Sequence, residues 1–436
     1  MDSPAISKET VKNIDDSKKL LNLKFPFQDD WDIGQDHLTF EIKNMDLSFV
    51  NSLERIILSN IPAVGFNVRP IETSDWTFYK NNTPFENEFI SHRIGLIPIH
   101  LNPDSFDQAE YSFFINKENS TKDYLPVTSE DIQILRLSDN QILDKSQTRK
   151  IFPADPLTGG FISITKIIPW EDKTLDKPKF HCEGKAMVST GIDNAAFSNV
   201  SVSSHSFKID PKQYEKKFKE YIKNQMNEHQ RINKILKDYD PVFDVENFDK
   251  TEPELKKKFD LLEAERCFYQ NEDGDPTWFE MIIESVGIHS PIAILEKGLE
   301  VMTKKVSTFK ELIENPIDEQ IEITKGYNHM DRAFRIRVHN ENETLGNLIA
   351  SHLRKFYVDE ENELSAVGFN KIHPLDKSVI IFINPAKNKA GDWGVIREYI
   401  FESCNKIISM TKDLIKELQS DYLYKSTISK KSKKHK

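Results

Sequence analysis

Cysteine is scarce in this chain of 436 residues: Cys182, Cys267 and Cys404 stand far apart, with no C-x-x-C pair and no companion histidine at zinc-ligand spacing. An intracellular, reduced, metal-free chain is the simplest reading. Long hydrophobic runs are missing as well, since the longest, such as "SVIIFI", is far too short to span a bilayer. There is no basic, apolar leader, so a soluble, unexported protein with no membrane partner is expected. Catalytic signatures are also absent: no P-loop, no dinucleotide fingerprint, no H-E-x-x-H and no nucleophile elbow. Nor is there an excess of positive charge. The net charge of −11 argues against wholesale nucleic-acid binding, and the Lys-rich end "KSTISKKSKKHK" is a short run of the kind that is usually solvated.

What is present is globular in character, with 38% hydrophobic, 10% aromatic and 30% charged residues. At this length roughly two to four domains are expected. The pentapeptide "AVGFN" occurs twice, at 63–67 and 366–370, and its flanks match. Upstream of the first copy Leu38, Phe40 and Ile42 alternate as in a half-buried strand. Then Phe49, Val50, Leu53, Ile56 and Ile57 form a helical stripe, with Asp46 or Ser48 as its N-cap. Upstream of the second copy Phe334, Ile336 and Val338 alternate, and Leu345, Leu348, Ile349, Leu353 and Phe356 form the stripe, with Thr344 as cap. Ile42 and Val338, Ser48 and Thr344, and Asn51 and Asn347 keep one constant spacing, so the copies share register. Extra residues around "VDEENEL" lengthen only the loop after the second helix. Each half then ends in a long amphipathic segment: Ile292, Leu295, Leu299, Met302, Val306 and Phe309 in the first, and Ile396, Ile400, Ile407, Leu414 and Leu418 in the second. Each stripe can be read as a core-facing helix, and two matching sets can also pack on each other as dimers do. "AVGFN" is read as the turn after the helix in each half, where Gly65 and Gly368 permit a turn or a close approach that a Cβ would obstruct.

Three constellations invite a chemical reading. Asp273 and Asp275 in "NEDGDP" could hold a hard cation, but an Asp-Gly turn explains the same residues. Glu88 and His92 lie one helical turn apart like an acid/base pair, yet no nucleophile accompanies them. The Lys-rich end is the only support for a DNA-binding transcription factor, the alternative reading of function. No catalytic, cofactor or metal residue is assigned.

The stretch "DLSFVNSLERIILSNIPAVGFNVRPIE", followed by "ENEFISHRIGLIPIHL", resembles the alpha-type RNA polymerase subunits: bacterial alpha, archaeal D and the third-largest eukaryotic subunit. "WFEMIIESVGIHSPIAILEKGLEVMTKKV" resembles the return strand and closing helix of the same family. "NENETLGNLIASHL" and "AVGFNKIHPLDKSVIIFI" resemble the small partner, archaeal L or the eleventh eukaryotic subunit. Those are two chains in cellular enzymes; joined in one, they resemble the fused subunit of nucleocytoplasmic large DNA viruses. Three departures stand out. Glu54 precedes Arg55 where many relatives have two basic residues, only Phe197 and Ser198 echo a His-Ala-Lys-Trp-like turn, and the cysteine cluster of some relatives is missing.

The resemblance implies an α+β chain with two alpha-amino-terminal-domain-like dimerisation modules forming an intramolecular pseudo-dimer, a mostly β insertion domain and a helical connector. The expected layout is an N-terminal extension 1–35, a first module 36–72 and 276–315, an insertion 73–205, a charged connector 206–275, a second module 316–424 and a tail 425–436, with residues 1–30 and the tail loosely ordered. The pseudo-dimer interface is expected to use Val50, Leu53, Ile57, Leu295, Leu299, Met302, Leu345, Leu348, Leu353, Ile407 and Leu414. Asn51, Arg55, Glu88, His92 and Arg93 are expected to contact a large subunit. Implied partners are the two largest polymerase subunits and a small zinc-binding subunit, with DNA and RNA met only through the assembled complex. The implied role is a non-catalytic assembly platform for transcription, located inside the cell and, for a virus, in the cytoplasmic virus factory and the virion.

Overall fold

The computed structural model describes residues 21–22, 37–68, 74–171, 174, 176–239, 252–327, 330–387 and 391–432. It shows an α+β chain of two compact units: residues 21–22, 39–51 and 204–281 belong to one, and residues 37–38, 52–203 and 282–432 to the other. Of the expected N-terminal extension 1–35, all but residues 21–22 lie outside the described residues.

β1 (Leu21–Asn22) pairs antiparallel with β2 (His37–Lys43). Leu38, Phe40 and Ile42 are buried, as the alternation requires. Asn44 then takes φ 56, the left-handed region that asparagine tolerates because its short polar side chain can bond locally. α1 (Leu47–Ser59) follows, and Asp46 Oδ1 accepts from the Ser48 N–H at 2.7 Å. Next come β3 (Ala63–Phe66), β4 (Trp76–Asn81), α2 (Asn87–Gly95), β5 (Tyr111–Glu118), β6 (Leu125–Thr128), β7 (Gln133–Arg136), β8 (Gln141–Ile142), α3 (Lys145–Ile151), β9 (Ser163–Ile167), β10 (Lys179–Gly184) and β11 (Ala186–Ser189). Their sheets run β4-β10-β5-β7-β8, β6-β9 and β11-β3. Edge-on rings fill the core between them, with Phe66 5.0 Å from Trp76 and 5.2 Å from Phe113.

β12 (Val200–Phe207), α4 (Pro211–Tyr239), α5 (Glu252–Leu262) and β13 (Trp278–Ser285) follow, and a four-stranded sheet runs β1-β2-β13-β12. Within the first unit Phe259 is buried among Tyr214, Phe218 and Tyr221, at 5.2, 5.2 and 5.4 Å between ring centres. Buried Glu41 is satisfied on both oxygens, by Lys208 Nζ at 2.7 Å and Trp278 Nε1 at 3.1 Å. That arrangement lets a carboxylate stay charged inside the fold.

α6 (Pro291–Glu314) starts at Ser290, whose hydroxyl accepts from the Ala293 N–H at 3.3 Å, with Pro291 in the first turn. The second half then gives β14 (Ile321–Tyr327), β15 (Met330–His339), α7 (Glu343–Leu353), a π-helical segment Arg354–Glu360, β16 (Leu364–Asn370), β17 (Ser378–Pro385) and α8 (Trp393–Ser432). Its sheet runs β14-β15-β17-β16. Asn340, directly after β15, takes φ 57 and so repeats Asn44 of the first half.

Three expectations change. "AVGFN" is strand, not turn: Gly65 lies in β3 and Gly368 in β16, neither with positive φ. A Cβ at Gly65 would lie 2.8 Å from the Phe197 ring and one at Gly368 2.6 Å from the Phe382 ring, so close approach is the reason for glycine. The cap of α7 is Asn342, whose Oδ1 accepts from the Thr344 N–H at 3.0 Å, because Thr344 is already inside the helix. The Lys-rich tail is helical through Ser432, as a continuation of α8.

Candidate subunit interface

Every residue expected at the pseudo-dimer interface is buried: Val50, Leu53 and Ile57 on α1, Leu295, Leu299 and Met302 on α6, Leu345, Leu348 and Leu353 on α7, and Ile407 and Leu414 on α8. Within the second unit the two halves meet directly. α6 packs on α8, and α7 also packs on α8. From the C-terminal part of α1, Ser52 Oγ donates to the Thr344 carbonyl at 3.3 Å. The hydroxyls of Thr303 and Thr411 lie 2.8 Å apart, joining α6 to α8, and Lys310 Nζ donates to Asn405 Oδ1 at 2.9 Å. α1 and α6 also come close, since a Cβ on Gly298 would lie 2.7 Å from Ile57 Cγ1.

These polar links are what reading by apolar stripes missed. Ser52 and Thr411 are fully buried on mostly apolar faces, and buried hydroxyls need partners. Interruption of an apolar stripe by a small hydroxyl residue was the available signal. The matching Asn44 and Asn340 also went unread, although they keep the spacing of the rest of the repeat.

The residues expected to meet a large subunit form two groups. Asn51, half-buried, and Arg55, exposed, share α1. Arg55 faces the second half electrostatically: the Glu343 carboxyl is held below its ordinary value first by its own backbone N–H, then by Lys371 and by Arg55. Lys371 Nζ lies 3.5 Å from Glu343 Oε2. Exposed Glu88 and half-buried His92 and Arg93 share α2, where an Arg93 guanidinium N–H donates to the Ser163 carbonyl at 2.6 Å. Among the described residues no hydrogen bond joins Glu88 to His92, and none joins one group to the other.

The "AAFSN" stretch holds the end of α1. Ser198 Oγ donates to the Leu58 carbonyl at 3.0 Å, and Asn199 Nδ2 donates to that of Ile61 at 3.0 Å. Phe197, buried, lies against Gly65. The stretch that only partly echoes the family turn thus satisfies carbonyls that the helix leaves open.

The remaining chemical candidates are scattered. Asp273 and Asp275 sit exposed on a tight turn around Gly274 at φ 91, closed by Asn271 N–H to Asp275 O at 2.9 Å. Burial pushes the Cys182 and Cys404 thiols up to about 12, which leaves almost no thiolate at neutral pH. Among the described residues no group of three or more His, Cys, Asp or Glu able to hold a metal occurs, and no helix is long and apolar enough to cross a membrane.

Residues 39–306 match the family model of the RNA polymerase Rpb3/Rpb11 dimerisation domain. The chain belongs to this family. Similar proteins include the "Conjugation stage-specific protein" of Tetrahymena thermophila, 24% identical over 310 residues, covering 65% of this chain and 93% of that one. The "DNA-directed RNA polymerases I and III subunit RPAC1" of Saccharomyces cerevisiae is 26% identical over 194 residues, covering 38% of this chain. The match spans about half of that yeast relative, 52%. The "DNA-directed RNA polymerases II, IV and V subunit 3" of Arabidopsis thaliana is 34% identical over 68 residues, 16% of this chain and 19% of its own. The family match ends inside α6, so the assignment of the chain beyond Val306 rests on the internal repeat.

Proposed function

We propose that this chain is a non-catalytic assembly-platform subunit of a multisubunit DNA-directed RNA polymerase, acting in transcription, with both dimerisation modules fused into one polypeptide. In this reading α1 and α6 of the first module and α7 and α8 of the second form an intramolecular pseudo-dimer, and residues 73–205 are the insertion domain. The observation that carries it is the repeat: strand, left-handed asparagine, capped helix and glycine-containing strand recur in both halves, and the family model covers the first half.

Fusion makes the pairing of modules intramolecular, at an effective concentration in the mM range or so when the connector spans them. The platform then brings together the two largest subunits, through Asn51 and Arg55 on α1 and Glu88, His92 and Arg93 on α2, along with a small zinc-binding subunit. Template and catalytic metal belong to those partners. The fused arrangement supports a viral origin, with the host cytoplasm and the virion as locations.

Affinity purification of the tagged full chain followed by mass spectrometry tests the reading. Two very large polymerase subunits at equal stoichiometry are expected. Recovery of the chain alone, or with DNA but no polymerase subunit, overturns it.

A further inference from the structure

In the second unit, residues of α2 and β9 contribute to a groove of about 410 Å³ lined by Pro84, Phe85, Arg93, Tyr124, Thr165 and Lys166, together with Ser163 and Ile164. Its apolar walls are open: Tyr124 is 56% exposed and Phe85 41%, and the neighbouring Phe89, its ring 4.9 Å from that of Phe85, is 49% exposed. Aromatic area of this kind on a surface marks a place where another chain sits.

We propose that this groove docks an extended, acidic and aromatic peptide segment of a partner polymerase subunit, laid along β9 with a carboxylate between Arg93 and Lys166. Three observations select that occupant. The lining has two cations and no anion in a chain whose net charge is −11. Arg93 makes a single hydrogen bond, to a carbonyl, and neither it nor Lys166 has a carboxylate partner among the described residues. Thr165 lines the groove at 2% exposure, and its hydroxyl has no hydrogen-bond partner. Its open hydroxyl is a hydrogen-bonding group at the groove that an entering polar group can meet. The backbone leaves room for an extended segment beside β9, which pairs only with β6 among the described strands and gives its Ser163 carbonyl to Arg93. An added strand supplies main-chain bonds while alternate side chains enter the groove. Phe85 and Tyr124 then receive its aromatic side chain, and Arg93, with its planar fork, and Lys166 receive its carboxylate.

The inference rests on the platform reading for the partner's identity, and its test is separate. The probe is a fluorescein-labelled heptapeptide with Asp and Phe taking turns at the odd positions and Ser between them, so that both face the groove, with a counterpart carrying Lys for Asp as control, titrated into the full chain and followed by anisotropy. The acidic probe should bind and the basic one should not. Rising salt should weaken binding, Lys166→Glu should weaken it about tenfold, and Tyr124→Ala should weaken it at unchanged salt dependence. Lys166 is exposed, so Lys166→Glu should melt like the parent protein. Equal binding of both probes, or an affinity indifferent to Lys166→Glu and Tyr124→Ala, overturns the proposal. A second copy of this chain in the groove would appear as dimerisation competed by the acidic probe, and also overturns it. Where the probe fails while the large subunits still co-purify, the groove falls and the platform stands. Where no polymerase subunit co-purifies, the partner assignment falls with the platform.

Discussion

At Leu53 a single side chain carries the consequence of the repeat. It is fully buried on α1, as Leu353 is on α7. Leu53→Asp or Leu353→Asp would place a carboxylate in apolar surroundings at a cost of several kcal/mol, on the order of 3 or more. A large drop in melting temperature, or aggregation, is expected for either; a melt unchanged by both would argue against the buried interface. His289 gives a different kind of prediction. Burial first, then Lys297 and His100, lower its pKa to about 4 against an ordinary 6.5, with Asp104 opposing, and its Nε2 has no partner. Between those values the unfolded chain binds a proton that the folded chain does not, so stability rises with pH across that window. Melting temperature should therefore fall as pH drops from 6.5 toward 4, and His289→Asn should flatten part of that slope. A slope that His289→Asn leaves unchanged assigns the acid sensitivity to other groups.

Between elements, the contact of α6 with α8 combines apolar stripes with polar joints, one of them at a buried threonine. Thr303 and Thr411 share a hydrogen bond at 2.8 Å, and Thr411 is completely buried. Each hydroxyl also bonds a carbonyl of its own helix, Thr303 that of Leu299 at 2.8 Å and Thr411 that of Ile408 at 2.9 Å, so either single removal loses the cross-helix bond once and removing both loses nothing further. Thr411→Val should cost about 1 kcal/mol, and the Thr303→Val, Thr411→Val pair should cost less than the sum of the singles. Chemical denaturation of the four proteins measures the coupling, and strict additivity would show that the hydroxyls act independently. The stretch at Phe197–Asn199 is the same principle at the end of α1, where side chains supply donors that the helix lacks.

For the whole molecule, the proposed platform role separates assembly from catalysis. Arg55 is exposed on α1 and needed by no apolar core. Arg55→Ala should leave the folding stability within about 0.5 kcal/mol of the parent while weakening recovery of the second-largest subunit; undiminished co-purification counts against that contact. Asp273 and Asp275 sit on an exposed turn rather than in a metal-holding cluster. Polymerase chemistry needs clustered carboxylates around metal ions about 4 Å apart. Asp273→Ala with Asp275→Ala should therefore leave the activity of the assembled enzyme near normal when subunit stoichiometry is checked. An assembled complex that no longer adds nucleotides would move the search for a metal site to this turn.

The strands around Phe40 and Ile336 and the helices around Leu53 and Leu348 were legible because burial on one face imposes a period, and the period is written in the apolar residues themselves. The repeat was legible for the same reason, since both halves solve one local problem in one register. Other features were decided only by distant residues meeting. "AVGFN" reads as a turn because glycine is common there, but Phe197 and Phe382 lie against those glycines and require strand without a Cβ. The intervening chain from β4 to β11 moves β3 out of the first sheet, where β12 takes the place that β16 holds in the second. Thr303 finds Thr411, and Lys371 finds Glu343, across sequence gaps that carry no period. The groove beside β9 needs α2, Tyr124 and Thr165 together. Periodicity records which face of an element is buried; which residues cover that face is settled only when the chain closes on itself.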